Sequence, residues 1–224
     1  MHMPYALCVI GEVPSREWVA TGFISNYVAK SIYKWVHASV LDQSEIFEHL
    51  RNPFSYDLLG GIFKEWMDTA LGTTGKVLRV SHQNNDLDFT FSDIQSYEWC
   101  RGKNGKVQTS QVQLKNRVFY TPDDVDSSSI DGYAMYDDFL LLVQATVATS
   151  ICGVNLFTVE NIVAAALEAN RNIKICLVYV VPQARVSDFR PPMCDELVGV
   201  GAAVCVGVIT DEDGLIARYV RELS

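Results

Sequence analysis

The stretch VFYTPDDVDSSSIDGYAMYDDFLLLVQATVATSICGVN, residues 118–155, decides the fold class. Its first apolar run ends in a polar cluster, Asp123 to Ser129. A second opens at Ile130-Asp131-Gly132-Tyr133-Ala134, and Asp137-Asp138 interrupts it before Phe139-Leu140-Leu141-Leu142-Val143-Gln144-Ala145-Thr146-Val147. Short apolar runs bounded by turn residues read as buried strands joined by tight turns. Asp131 lies at the start of one strand, and Gln144 and Thr146 sit two apart on the next, which a period of two places on one face. An acid followed by two such polar groups is the skeleton of a restriction-endonuclease-type site, Asp…(Glu/Gln)-x-Lys. In an active site of that kind the acids hold a divalent metal and the lysine orients or activates water against a phosphodiester. Any β-hairpin with an Asp near its bend produces the same spacing, so a turn Asp with polar strand-end residues is the competing reading.

The segments on either side continue the pattern. Asn155 or Thr158 caps Val159 to Ala169, an amphipathic helix. Ile173-Lys174-Ile175-Cys176-Leu177-Val178-Tyr179-Val180-Val181, stopped by Pro182, is a continuous apolar strand of the kind buried on both faces of a mixed or parallel sheet. Val198 to Ile209 reads as a further strand and Leu215 to Leu223 as a closing helix. Upstream, Ser55 caps a helix over Tyr56 to Leu71 that Gly72 closes, with Leu59, Ile62, Phe63, Trp66, Met67 and Leu71 as its apolar stripe. Gly60-Gly61 inside it suggests close packing against another backbone. Val77 to Val80 follows as a strand. From His82 to Gln113 the composition turns polar, and Leu87 to Phe91 with Val107 to Val112 reads as a hairpin whose tip carries Arg101, Lys103 and Lys106. His82 itself reads as a loop residue. Near the N-terminus, Ser15 caps a helix bearing Trp18, Phe23, Tyr27, Ile32, Trp35 and Val36, and Ser44 to Leu50 forms a second, short one before Asn52-Pro53. The order of elements predicts an α/β fold with a central mixed sheet flanked by helices. Residues 1–54 form an N-terminal helical region packed on a core of residues 55–224, with a polar hairpin insertion at residues 82–113.

Composition narrows the function classes. A net charge of −9 counts against a broad electrostatic grip on nucleic acid, leaving only a local patch such as Arg101, Lys103 and Lys106. Cys8, Cys100, Cys152, Cys176, Cys194 and Cys205 are scattered with no C-x-x-C pair, so they read as buried free thiols in a reducing compartment, with neither a zinc cluster nor a disulfide framework indicated. No apolar run reaches the roughly 18 residues of a membrane span. There is no G-x-S-x-G and no nucleophile setting around the four histidines, which leaves a hydrolase triad without support.

Taken together, four patches resemble the C-terminal domain shared by Crinkler effectors of oomycetes and fungi and by retrotransposon hot spot proteins of trypanosomes. They are Trp18 to Ala29; Leu58 to Leu71; Val118 to Pro122 with Ile130-Asp131 and Leu142 to Val147; and Val178 to Pro182. The resemblance implies a fold related to PD-(D/E)XK nucleases, an intracellular role in the nucleus or cytoplasm, and a P-loop NTPase domain preceding this one. G-x-x-x-x-G-K-[ST] does not occur here, so that half would lie outside this chain and the start reads as that of a fragment. The family's Phe-Glu is Phe63-Lys64 here, its histidine one turn later is Asp68, and the histidine after Gln-x-Thr gives way around Ile151. Asp131 is then the one metal-capable carboxylate retained, and a hydrated Mg²⁺ usually needs one or two plus phosphate oxygens. With the helix beside the hairpin, Lys64 would point at Asp131 and place its ammonium where a metal would sit. The expectation is therefore a degenerate, inactive nuclease-like domain with no cofactor. It would engage a protein or nucleoprotein complex through a surface that includes Trp35, Trp66 and the basic tip. The alternative is an active nuclease using Mg²⁺ or Mn²⁺, with Asp131 and Gln144 at the metal, Lys64 as a relocated catalytic lysine and Thr146 at the lysine position of the motif.

Overall fold

The computed structural model describes residues 11–12, 19–20, 56–73, 75–82, 85–97, 112–122, 130–151, 156–192 and 201–210. An eight-stranded mixed sheet organises them. Its strands are β3 (Leu78–His82), β4 (Asn85–Phe89), β5 (Asp93–Tyr97), β6 (Val118–Pro122), β7 (Gly132–Tyr136), β8 (Phe139–Ala145), β9 (Lys174–Val180) and β10 (Ala203–Ile209), and they lie side by side in the order β4-β3-β10-β9-β8-β7-β6-β5. Two helices, α1 (Tyr56–Leu71) and α2 (Leu156–Ala169), accompany the sheet. A separate two-residue ladder pairs β1 (Gly11–Glu12) with β2 (Val19–Ala20).

Within residues 118–155, the described parts, 118–122 and 130–151, form strands where their apolar runs predict them. β7 and β8 are antiparallel, with Tyr136 opposite Phe139, so Asp137 and Asp138 alone make the turn. Asp137 adopts φ 50°, a left-handed conformation that aspartate tolerates better than most residues. Asn116 holds this bend: the Asp137 N–H donates to Asn116 Oδ1 at 2.8 Å, and Asn116 Nδ2 donates to Asp137 Oδ1 at 3.0 Å. β9 is parallel to both β8 and β10, as its unbroken apolar run requires, since a parallel strand needs both faces covered.

Alternation along β8 shows how that is done. Leu141 and Val143 enter the cluster built on Phe63, Trp66, Met67, Ala70 and Leu71 of α1, while Leu140 and Leu142 enter the cluster built on Val159, Ile162, Val163 and Ala166 of α2. The protein is thus α/β, and among the described residues one α-helix covers each face of the sheet. Close strand approach fixes two glycines: a Cβ on Gly132 would lie 2.5 Å from Phe119 Cζ and 2.7 Å from the Tyr120 carbonyl oxygen, and one on Gly207 would lie 2.8 Å from Val178 Cγ1.

Several local expectations are revised. Val19–Ala20 pairs as a strand with Gly11–Glu12, so the helix expected to open at Ser15 is not continuous there, and β-branched Val19 suits the ladder. Leu87 pairs with Val80 of β3, while the hairpin partner expected at residues 107–112 lies almost wholly outside the described residues. Among the described residues, β4 and β5 form the two opposite edges of the sheet. Outside the helix's own backbone, no atom of the described residues comes within 4 Å of where a Gly60 Cβ would be, so among them no close backbone approach is seen at that glycine. Thr158 lies inside α2, which starts at Leu156, so it is not the cap. Trp66 is buried and stacked on Phe63, with ring centroids 5.5 Å apart, so it is core and unavailable to a partner. The helices expected at Ser44–Leu50 and Leu215–Leu223, together with Trp35 and the basic cluster Arg101, Lys103 and Lys106, lie outside the described residues. No helix among the described residues is long and apolar enough to cross a membrane.

Candidate functional site

Asp131 sits immediately before β7, where the chain bends into the sheet, and its backbone N–H donates to the Val143 carbonyl at 2.7 Å. That contact sets the carboxylate at the C-terminal end of β8. Asp131 Oδ2 accepts from the Ala145 N–H at 2.8 Å, and Oδ1 lies 2.8 Å from Lys64 Nζ on α1. The two side chains are only 12% and 18% exposed, so this is a largely buried ion pair. The contact between Lys64 and Asp131 anticipated from the helix-beside-hairpin arrangement is present.

The helix supplies the lysine for a simple reason. Phe63, Trp66, Met67 and Ala70 bury the apolar stripe of α1 on the sheet, and Lys64 follows Phe63 at the margin of that stripe, where an ammonium can reach a carboxylate at a strand end. Asp68, one turn on, flanks it. Burial pulls the Lys64 pKa down, but the charge and hydrogen bond of Asp131, followed by the charges of Asp68 and Glu65, more than offset this and leave it above its ordinary value. Lys64 is therefore a fixed cation at neutral pH.

Gln144 and Thr146 take other positions. Gln144 alternates with Val143 and Ala145, which face α1, so it shares the α2 face with Leu140, Leu142 and its register partner Tyr179. Its Oε1 is buried with no hydrogen-bond partner among the described residues. Thr146 lies just past β8 and is 8% exposed. Its N–H donates to the Val180 carbonyl at 2.9 Å and its Oγ1 accepts from the Ala148 N–H at 3.1 Å, so its hydroxyl closes the strand end. The structure brings Lys64 and Asp131 together, with Asp68 one helical turn from Lys64, and register directs Gln144 to the other face.

Those positions bear on a divalent ion. Both carboxylate oxygens of Asp131 are engaged, one of them by a cation, and a hard metal ion beside the Lys64 ammonium would face direct Coulomb repulsion. As arranged, these residues do not fit Mg²⁺ or Mn²⁺.

A second polar cluster was not expected. His82 is the last residue of β3, not a loop residue, and its Nδ1 lies 3.4 Å from Cys205 Sγ on β10. Cys176 of β9 completes the group, with all three donor atoms within 4.8 Å of one another. The two thiols are free and buried. Spacing offers no hint of this, because the three residues meet only through the sheet order β3-β10-β9. Comparison with protein-family models, with curated proteins and with solved structures finds no match to this chain.

Proposed function

We propose that this protein carries a nuclease-like domain of the PD-(D/E)XK type whose metal position is filled by its own lysine, and that it acts inside the cell as a protein or nucleoprotein interaction module and not as a catalyst. One observation supports the loss of catalysis: Lys64 Nζ lies 2.8 Å from Asp131 Oδ1, while the Ala145 N–H takes the other oxygen. A buried carboxylate must be neutralised, and an internal ammonium does so without an ion. The nuclease-like ancestry and the nuclear or cytoplasmic setting rest on the resemblance to Crinkler and retrotransposon hot spot domains. The acidic net charge of −9 supports a protein or nucleoprotein partner over bare nucleic acid.

A second reading draws on Asp68. This acid, one helical turn from Lys64, adds a second carboxylate whose charge acts on the Lys64 ammonium, and Lys64 would then serve as a relocated catalytic ammonium that stabilises charge developing on a phosphate. Cleavage assays on single- and double-stranded DNA and on RNA with Mn²⁺, run beside calorimetric Mn²⁺ titration, decide between the two. The preferred reading expects no cleavage and no heat that depends on Asp131. Cleavage by the unmutated protein that disappears in both Asp131→Ala and Lys64→Ala would overturn it in favour of the nuclease.

A further inference from the structure

His82, Cys205 and Cys176 lie side by side on three adjacent strands. β10 runs antiparallel to β3 with Val206 opposite Ser81, which carries Cys205 to the position opposite His82. β10 runs parallel to β9 with Ala203 beside Cys176, so Cys205, two residues on, projects from the same face as Cys176. That face is the one covered by α1, and both cysteines belong to its core cluster. The cluster is set across the sheet from Asp131: Asp131 borders β8 at Val143 and Ala145, whereas Cys176, Cys205 and His82 stand on the next three strands, β9, β10 and β3, so that at about 4.8 Å per strand Cys205 lies roughly 10 Å from β8.

The spacing of the donor atoms is that of a metal's coordination shell. Tetrahedral zinc with Zn–S near 2.3 Å and Zn–N near 2.0 Å sets its sulfur and nitrogen ligands about 3.6 Å apart and its sulfurs about 3.8 Å apart. Here Nδ1 and Sγ are 3.4 Å apart, and no donor atom is more than 4.8 Å from another. Two soft thiolates and an imidazole select zinc over the hard cations that suit carboxylates. We propose that His82, Cys176 and Cys205 bind one Zn²⁺, with water at the fourth corner, and that the ion clamps β3, β10 and β9 together. The site is independent of the proposed loss of nuclease chemistry and shares no residue with it.

Cobalt substitution tests this directly. The full chain is dialysed against chelator under reducing conditions and titrated with Co²⁺. The expected result is one equivalent bound, a thiolate-to-cobalt charge-transfer band, the visible bands of tetrahedral cobalt, displacement of all of these by Zn²⁺, and a thermal midpoint that rises with Zn²⁺. Cys176→Ala and Cys205→Ala each reduce the charge-transfer band by half or abolish it. His82→Ala, at a half-buried strand end where folding is least at risk, weakens Co²⁺ binding at least about tenfold. Replacing Cys8, Cys100, Cys152 and Cys194 together leaves the band at full strength. No charge-transfer band in the unmutated protein overturns the proposal whether or not any variant folds. So does a band that survives undiminished in Cys176→Ala and Cys205→Ala, or oxidation of this thiol pair to a disulfide in preference to metal uptake.

Discussion

The face of the sheet under α1 carries polar groups on both sides of its midline, by β7 and β8 and on β9, β10 and β3, and the two ends of this span meet the cost of burial by opposite means. At one end a full positive charge faces a full negative charge, Lys64 against Asp131, with a backbone N–H completing the carboxylate. At the other, two free, buried thiols and an imidazole stand together with no acid or base of opposite charge among their donor atoms. The first end is self-sufficient, since each partner neutralises the other. The second has nucleophilic donors converging on one point. The lesson is that burial of a charge demands its counter-charge nearby, whereas burial of cysteine demands nothing, so burial accounts for the first cluster as a pair but does not account for three donors meeting at one point in the second.

The largest expected effect breaks the charged end. Asp131→Ala leaves Lys64 buried without a counter-charge and the Ala145 N–H without its acceptor, and should cost about 3–5 kcal/mol in urea denaturation. A loss below about 1 kcal/mol would mean that water reaches the pair and that it is not a buried one. The double variant Lys64→Met/Asp131→Leu should recover most of that loss, because apolar groups of similar volume replace a pair whose attraction was offset by desolvation. Failure to recover would show that the Asp131 contact to Ala145, and not the ion pair, holds the strand end.

Close approach between strands gives the next effect. Gly132→Ala drives a methyl group into Phe119 and the Tyr120 carbonyl, and overpacking of this kind should cost about 1–3 kcal/mol, read as a lower thermal midpoint. At the thiol end, Cys176→Ala in metal-free protein should cost only about 1 kcal/mol. If it costs as much as Asp131→Ala, the two ends do not differ as described.

Alkaline pH sharpens the contrast further. Lys64 has its folded pKa above its ordinary value of 10.5, so its stabilising contribution is complete below that pH and is lost as pH rises through the folded pKa. Burial also raises Tyr133 and Tyr120, which act in the same direction above pH 10. The unmutated protein should therefore lose stability more steeply above pH 10.5 than Lys64→Met/Asp131→Leu, which keeps only the tyrosine share. Parallel curves would remove Lys64 from the account. At the small end of the scale, Arg79→Ala at the exposed Arg79–Asp88 pair, also 2.8 Å, should leave the urea midpoint unchanged within error, since solvent screens it. Equal contacts with unequal effects would show that burial, not distance, sets the value of a pair.

Much of the sheet was legible because its strands announce themselves. Phe139 to Val143 and Ile175 to Val180 are apolar without break, Asp137-Asp138 marks a turn, and α1 and α2 carry stripes of helical period. The edges were harder to read. Leu87 to Phe89 alternates like any half-exposed strand, and alternation does not name a partner, so its pairing to β3 followed only from the folded sheet.

The charged site and the thiol site divide in the same way. An aspartate beside an apolar run and a lysine beside a helix stripe are conspicuous, because charge in such places needs a reason, and the sequence by itself determined both positions, while their meeting followed only if the helix packs beside the hairpin, which the folded chain shows. It did not determine that Gln144 would face α2 while Asp131 reached toward α1, since Asp131 lies outside the strand whose alternation governs Gln144. Nor did it reveal that His82, Cys176 and Cys205 converge. Cysteine in a strand reads as one more small apolar residue, and residues nearly a hundred positions apart become neighbours only when β10 inserts between β3 and β9. Local pattern is written in the order of residues along the chain, whereas a site assembled across three strands depends on which strand lies beside which, and only the tertiary structure decided that.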